Sequence, residues 1–196
     1  MAHRATPPNQ TFVFADIVSY TAITEREGDA RALEVASTLA AAAALIASDT
    51  GAQLVKCIGD AVMLCVDDAR IGLGVALRLK RDLGAVPGYP ELHVGVHSGP
   101  ALLADGDWFG HTVNIAARVT NAAAPGEVLC TDATVASCRA TYGLRFVAHG
   151  PRAFKNASAP IPIFTVLPAP ARFVREPDLA PTAPTQPMTR ELEVVA

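Results

Sequence analysis

The sequence predicts an α/β (α+β) fold, a ferredoxin-like or palm-like sandwich with a central, mostly antiparallel sheet flanked by helices. Strand and helix signals alternate along the chain, and two strand-to-helix crossovers accompany a central hairpin. The 196 residues are 51% hydrophobic and 18% charged, which suits one domain with a buried core and excludes a disordered chain. The net charge of -3 provides no basic surface for nonspecific nucleic-acid binding, so no nucleic-acid partner is expected.

The N-terminal part of the predicted domain is a strand followed by a long helix. Thr11–Ile17 is β-branched and aromatic, which is typical of a buried strand. The alanine-rich segment Asp29–Ser48 has helical periodicity, and its most apolar stretch, Val35–Ala47, is too short to span a bilayer. We therefore expect a core-facing helix and no membrane partner. The side chains predicted on its buried face are Leu33, Ala36, Ala40, Ala44 and Ala47.

A hairpin and a second helix follow. Two short apolar runs, Ala52–Cys57 and Ala61–Val66, are separated by a short turn that contains glycine, which predicts a β-hairpin. Either Asp67 or Asp68 can cap the next helix, which is predicted to run to about Leu83.

The remaining elements again alternate. Glu91–Ser98 has the alternation of a strand, which Gly99-Pro100 is expected to end. Its two histidines, His93 and His97, would lie on one face about 13 Å apart, too far to share a metal ion. His111–Asn121 is predicted to be helical. Three further strands and a short helix are expected at Glu127–Cys130, Leu144–Ala148, Ile161–Leu167 and near Thr134–Cys138.

The composition of the two ends differs from that of the middle. Residues 1–10 are polar and carry two prolines, so we expect a flexible N-terminus. From Pro168 onward six prolines fall within twenty residues, so residues 168–196 are expected to form an extended or disordered tail. Residues 11–167 then form the folded domain. The first ten residues contain no apolar segment of a secretory signal, which favours a cytoplasmic location.

Two carboxylates fall where the first strand and the hairpin end. Asp16 closes the strand, and Asp60 lies in the hairpin turn. A strand and a neighbouring hairpin can bring both acids to one sheet edge, where they would share divalent cations and bind substrate phosphates. Each acid alone fits a structural role equally well, because Asp16 can cap a helix at Val18–Thr24 and Asp60 can be a turn residue.

Three motifs favour the metal-binding role of these acids over the structural one. FADIVSYT at Phe14–Thr21, KCIGD at Lys56–Asp60 and DWFGHTVNIAARV at Asp107–Val119 occur in that order. Together they resemble the class III nucleotidyl cyclase catalytic domain, the family of adenylate and guanylate cyclases, over essentially the whole 11–167 core. The resemblance implies attack of a ribose 3′-hydroxyl on the α-phosphate of a nucleoside triphosphate, which forms a cyclic 3′,5′-monophosphate and pyrophosphate.

The resemblance also implies the metal and phosphate ligands. Two divalent cations, Mg²⁺ or Mn²⁺, would be bound by Asp16, Asp60 and the backbone carbonyl of Ile17. The backbone N–H groups that open the following helix would bind phosphate oxygens. The substrate-binding residues implied in this segment are Ile17, Val18, Ser19, Tyr20 and Thr21.

Three further positions match catalytic or phosphate-binding residues of the family. Asn114 and Arg118 share a helix face, and the resemblance implies that Asn114 orients the ribose and Arg118 stabilises charge on the phosphate. Lys155 matches a lysine that contacts the triphosphate, although Asn156 replaces the usual glycine after it. Without the flanking motifs, a surface Asn–Arg pair on an ordinary helix would be the favoured interpretation, and a solvated lysine on a loop is the competing interpretation of Lys155.

The resemblance places Lys56 and Asp107 at the positions that select the purine. Lys56 can donate to a ring nitrogen of adenine and Asp107 can accept from its amino group, whereas guanine offers a carbonyl there. ATP is the predicted substrate. The alternatives are a guanylate cyclase, or a catalytically silent cyclase-homology module that dimerises or binds nucleotide. The resemblance further implies a homodimer in which Asp16 and Asp60 face the other site residues of a second copy.

Overall fold

A mixed sheet flanked by helices forms the centre of the fold. The computed structural model describes residues 8–138, 141–155 and 157–170. Its strands are β1 (Asn9–Ile17), β2 (Gln53–Ile58), β3 (Ala61–Val66), β4 (Leu92–Pro100), β5 (Leu102–Ala104), β6 (Asp107–Phe109), β7 (Val128–Thr131), β8 (Leu144–Arg152) and β9 (Ile161–Pro168). Its helices are α1 (Tyr20–Glu27), α2 (Asp29–Thr50), α3 (Ala69–Gly84), α4 (His111–Ala122) and α5 (Asp132–Ser137).

Seven strands share one sheet in the order β2-β3-β1-β4-β7-β9-β8, and β5 pairs with β6 in a separate hairpin. Within the described residues, β4 and β7 form the one parallel pair and the other pairs are antiparallel. A mostly antiparallel sheet flanked by helices confirms the predicted fold class.

The strand register brings the two candidate acids to one end of the sheet. Asp16 lies opposite Ala61 of β3 on one side and opposite His93 of β4 on the other. The predicted β2–β3 hairpin is confirmed, and Asp60 lies in its turn. The backbone N–H of Ile17 donates to the carbonyl of Asp60 at 3.3 Å, so the hairpin turn is attached to the end of β1.

Alternation along β1 divides the core into two layers. Val13 and Ala15 pack with the buried side chains of α2 and α3, whereas Phe12 and Phe14 pack on the other face with α4. The Phe12 ring meets Trp108 edge-on, with ring centroids 5.7 Å apart. This contact fastens the β5–β6 hairpin to the sheet.

Helix α2 buries a different face from the one predicted, because Leu33 is 67% exposed. Alanine at nine of the 22 positions makes the apolar period ambiguous, and the larger side chains decide which face is buried. The buried residues are Ala32, Val35, Leu39, Ala43, Ile46 and Ala47. At 22 residues, α2 is long and apolar enough to cross a membrane by length and composition. The expectation that this segment is too short to span a bilayer therefore does not hold. In this fold its buried side chains join the core cluster that includes α3 and β1.

Several element boundaries differ from the predicted ones. Strand β4 continues to Pro100, which pairs with Asn9 at the very end of both strands, where a missing N–H is tolerated. β1 begins two residues earlier than predicted, and β8 extends to Arg152. The three-residue strands β5 and β6 were not predicted, because they are too short to show a period. The predicted cap of α3 is Asp68, whose carboxylate accepts the N–H groups of the helix start.

Two glycines of β4 allow α4 to lie directly on the sheet. A Cβ at Gly95 would lie 2.3 Å from the backbone nitrogen of Thr120, and one at Gly99 would lie 2.8 Å from Oγ1 of Thr112. Helix α4 therefore runs antiparallel to β4 and contacts it closely at two points. This contact fixes the helix that carries Asn114.

A Gly95→Ala substitution is expected to destabilise the fold by about 1–3 kcal/mol, because the new methyl group overlaps helix backbone rather than a flexible side chain. Thermal unfolding measures the effect. Gly74→Ala on α3 is the matched control, because a Cβ there meets nothing within 4 Å. Better helix propensity should make that control more stable by about 0.5–1 kcal/mol. An unfolding temperature of Gly95→Ala equal to that of wild type would contradict the close α4–β4 contact.

Candidate active site

The two acids predicted as metal ligands lie close together at the end of β1. Burial is the largest cause that raises the pKa of Asp16 to about 6, and the charge of Asp60 together with a hydrogen bond between the two acids raises it further. His93 and the backbone N–H of Ile17 act in the opposite direction. Asp16 does not cap the next helix, because Ser19 is the residue before α1. Two like charges are therefore held together in a partly buried position, which favours a bound cation.

The chemistry of these donors fits a hard divalent cation. Two carboxylates and the carbonyl of Ile17 are oxygen ligands of the kind that Mg²⁺ and Mn²⁺ prefer, and Mg²⁺ usually takes one or two carboxylates plus substrate phosphates. In residues 8–138, 141–155 and 157–170, no group of three or more His, Cys, Asp or Glu side chains is placed to hold a metal. A cation here would therefore depend on a ligand such as a phosphate to complete its shell.

The turn between β1 and α1 leads the chain into the predicted phosphate-binding segment. Ser19 adopts a left-handed backbone with φ of 56°, which turns the chain sharply before the helix. The N–H of Val18 donates to the carbonyl of Glu91 at 2.9 Å, so it is already engaged within the fold. The first N–H groups of a helix have no partner inside it, and the predicted phosphate contact therefore rests on Ser19, Tyr20 and Thr21.

Lys56 and Asp107 form a hydrogen-bonded ion pair, although they lie 51 residues apart in the sequence. Lys56 belongs to the edge strand β2 and Asp107 begins β6, so the pair connects the β5–β6 hairpin to the seven-stranded sheet. The hydrogen bond from Lys56 lowers the pKa of Asp107, whose other oxygen accepts the backbone N–H of Trp108 at 2.8 Å. The pair presents one donor and one ionised acceptor side by side.

Arg118 and Lys155 line one cavity of about 390 Å³ beside the C-terminal end of α4. Nη1 of Arg118 is buried and has no hydrogen-bond partner among the described residues. An unpaired buried guanidinium N–H is unfavourable unless an anion binds it. Asn114 is exposed one turn earlier on the same helix. Asn156, which follows Lys155, lies outside the described residues.

The predicted polar residues thus fall into three groups. Asp16 lies with Asp60 and Lys56 with Asp107, while two members of the third group line the cavity and its remaining member lies one helical turn away. Among the residues that the structure describes, no side-chain hydrogen bond or ion pair connects one group to another. The third group contains Asn114, Arg118 and Lys155.

Sequence reasoning missed His93 as a neighbour of the acids. It faces Asp16 across the β1–β4 pairing, and its Nδ1 is buried without a partner in the described part of the chain. No sequence signal could reveal this contact before β4 was known to lie beside β1. His97 is structural, since its Nδ1 bonds to Oγ1 of Thr131 at 2.7 Å and burial lowers its pKa to about 4.

Comparison with known proteins decides the family. Residues 4–165 match the family described as the Adenylate and Guanylate cyclase catalytic domain. The chain belongs to this cyclase family. The cyclase domain is 35% identical over 162 residues to a pH-sensitive adenylate cyclase of Mycobacterium tuberculosis, which covers 80% of this chain and 40% of that protein. It is 40% identical over 124 residues to an adenylate cyclase of Glutamicibacter nicotianae, which covers 63% of this chain and 30% of that protein.

A solved structure supports the fold of the cyclase domain. An adenylate cyclase from Trypanosoma brucei in its monomeric state superimposes with a TM-score of 0.74 at 20% identity, over 84% of this chain and 90% of that chain. This likeness shows the fold alone. The chain spans less than half the length of the two curated relatives. The predicted family resemblance is confirmed.

An Asp16→Asn substitution is expected to stabilise the metal-free fold at about pH 7.5. The pKa of Asp16 rises from 3.8 to about 6 on folding, so the folded state favours the protonated acid. The stability that the protonated Asp16 contributes to the fold is therefore fully present below about pH 3.8 and is lost as the pH rises through about 6. The gain in unfolding temperature, measured in the presence of a chelator, should shrink toward about pH 4.

Asp105→Asn is the control for this experiment, because Asp105 is an exposed turn residue with a left-handed backbone that asparagine also adopts. The control should show no such pH-dependent gain. A gain at Asp16 that does not change with pH would contradict the raised pKa of this acid.

Proposed function

We propose that this cyclase domain converts ATP to 3′,5′-cyclic AMP and pyrophosphate. The observation that carries the proposal is the pair of close carboxylates, Asp16 and Asp60, beside the start of α1. Like charges at a sheet end suit a cation that also binds a polyphosphate. Both curated relatives described above are named adenylate cyclases, which supports the same reaction here. The proposal implies a cytoplasmic location, where ATP is supplied.

In the proposed mechanism, the chain positions the nucleotide and balances its charge. Two divalent cations held by Asp16, Asp60 and the carbonyl of Ile17 would supply activation of the ribose 3′-hydroxyl and neutralisation of the triphosphate. Asn114 orients the ribose. Arg118 donates its unpaired Nη1–H to the phosphate where charge develops, because its fork of donors matches phosphate oxygens. The 3′-hydroxyl loses its proton to solvent, and its oxygen bonds to the α-phosphorus as the bond from that phosphorus to the pyrophosphate leaving group breaks.

The Lys56–Asp107 pair supports ATP as the substrate. Lys56 donates to a ring nitrogen of adenine, and the ionised Asp107 accepts from the amino group. Guanine would place a carbonyl oxygen against the Asp107 carboxylate and leave both acceptors unpaired. An unpaired group of this kind costs about 1–3 kcal/mol, which corresponds to a preference for ATP of about 5- to 150-fold.

We infer further that two copies of the chain share each active site. The three groups of site residues are not joined within one chain, and the β5–β6 hairpin that carries Asp107 exposes three large apolar side chains. Leu102, Leu103 and Phe109 are each more than half exposed. An exposed apolar patch beside a binding residue is typical of an interface. In a symmetric dimer, the acids of each copy would face the other two groups of its partner, which gives two equivalent sites.

The purified chain is expected to form cyclic AMP from ATP in the presence of Mg²⁺ or Mn²⁺, as measured by chromatography. Parallel reactions with GTP should be slower by about 5- to 150-fold. Asp16→Ala should abolish the reaction because it removes a cation ligand, while Asp105→Ala at an exposed turn should not. Product no greater than that of Asp16→Ala would refute the proposed reaction, and equal rates with both nucleotides would refute the base assignment.

A mixture of two inactive variants tests whether the sites are shared. Asp16→Ala and Arg118→Ala chains should be nearly inactive alone. Together they should recover about a quarter of wild-type activity, because half of the dimers then hold one intact site of two. Asp16→Ala mixed with Asp60→Ala is the control and should recover nothing, since both changes affect the same half. No recovery in the first mixture, given dimers that exchange chains, would place the whole site within one chain.

A further inference from the structure

A third cation lines the cavity that contains Arg118 and Lys155. Arg152 is the last residue of β8, three positions before Lys155, and it belongs to the same cavity wall. The described residues around this cavity include three cationic side chains and no acidic one. A cavity with this charge attracts anions, because its cations repel one another until an anion is bound.

Arg152 is held in place by a contact that leaves its charge unpaired. One of its terminal nitrogens donates to the carbonyl of Ala122 at 2.9 Å. Ala122 is the last residue of α4, where carbonyl groups have no partner within the helix. The bond uses one N–H of the guanidinium, so its other donors are available to a ligand.

Arg152 has no acidic partner, in contrast to several other arginines of the fold. Arg31, Arg78 and Arg81 each form an ion pair with a neighbouring carboxylate. Within the described residues, neither Arg152 nor Arg118 has such a pair. Arginine is suited to bind phosphate oxygens in a bidentate manner, and unpaired arginines around one cavity are typical of a polyphosphate site.

We propose that Arg152 binds the terminal phosphates of the nucleotide and, after reaction, the pyrophosphate. This inference rests on the proposed function, since it assigns a further substrate-binding residue to that site. The cavity volume of about 390 Å³ accommodates a polyphosphate chain. The hydrogen bond to Ala122 fixes the Arg152 guanidinium at the end of the helix that also carries Arg118, so both cations keep a constant spacing.

Calorimetric titration of the full chain with inorganic tripolyphosphate and Mg²⁺ tests this role without any chemical step. Arg152→Gln should weaken the affinity about tenfold, because the charge is lost while the amide can still donate to Ala122. Arg152→Lys should retain most of the affinity. Arg145→Ala is the matched control, since Arg145 is an exposed arginine of the same strand outside this cavity.

Steady-state kinetics supply a second readout. Arg152→Gln should raise the KM for ATP and the inhibition constant of pyrophosphate by about tenfold, with a smaller effect on kcat. An unchanged tripolyphosphate affinity of Arg152→Gln, an equal loss in Arg145→Ala, or no binding by the wild-type chain would overturn the proposal. A lower unfolding temperature of Arg152→Gln with unchanged affinity would overturn it too and leave Arg152 as an anchor of α4 only. Binding that depends on Arg152 in a chain that forms no cyclic nucleotide would refute the cyclase reaction and retain the phosphate site.

Discussion

The close contact between α4 and β4 is the constraint on which the cationic part of the candidate site depends. It exists because Gly95 and Gly99 have no side chain where the helix crosses the strand. With α4 fixed there, Arg118 projects from a rigid element, and the carbonyl of Ala122 is placed where Arg152 can reach it. Precise placement of a phosphate-binding guanidinium requires such a support, because a displacement of about 1 Å weakens a preorganised contact strongly.

The charges of the site are distributed in an unusual way for a stable fold. Asp16 and Asp60 repel each other at the end of β1, while Arg118, Arg152 and Lys155 surround a cavity without an acid. Each group is unfavourable by itself and would be relieved by a ligand of opposite charge. A nucleoside triphosphate with bound cations carries both kinds of charge, so it would neutralise the acidic group and the cationic group together. Perturbed groups of this kind concentrate at functional sites, since selection for stability alone would remove them.

The candidate site residues could be named from the sequence, because the motifs identify residues whose chemistry is defined by type. Two motifs predict Lys56 and Asp107 as residues that contact the same base, and the structure places the two side chains together as an ion pair. His93 could not be predicted as a neighbour of Asp16, since that contact depends on which strands lie side by side. The prediction of the buried face of α2 was wrong for a related reason. The many alanines of this helix fit several faces, and only packing against the sheet selects one.

The ion pair between Lys56 and Asp107 also bears on how the base is selected. A protonated Asp107 could donate to the carbonyl of guanine, and selectivity for adenine would then be lost. An aspartate is already ionised at neutral pH, and Lys56 lowers the pKa of Asp107 further, so the carboxyl stays an acceptor under more acidic conditions as well. In the proposed site, Lys56 thus offers its own donor and extends to lower pH the range over which its partner can only accept. A lysine and an aspartate placed further apart would supply the same donor and acceptor, but the lysine would lower the pKa of the acid less.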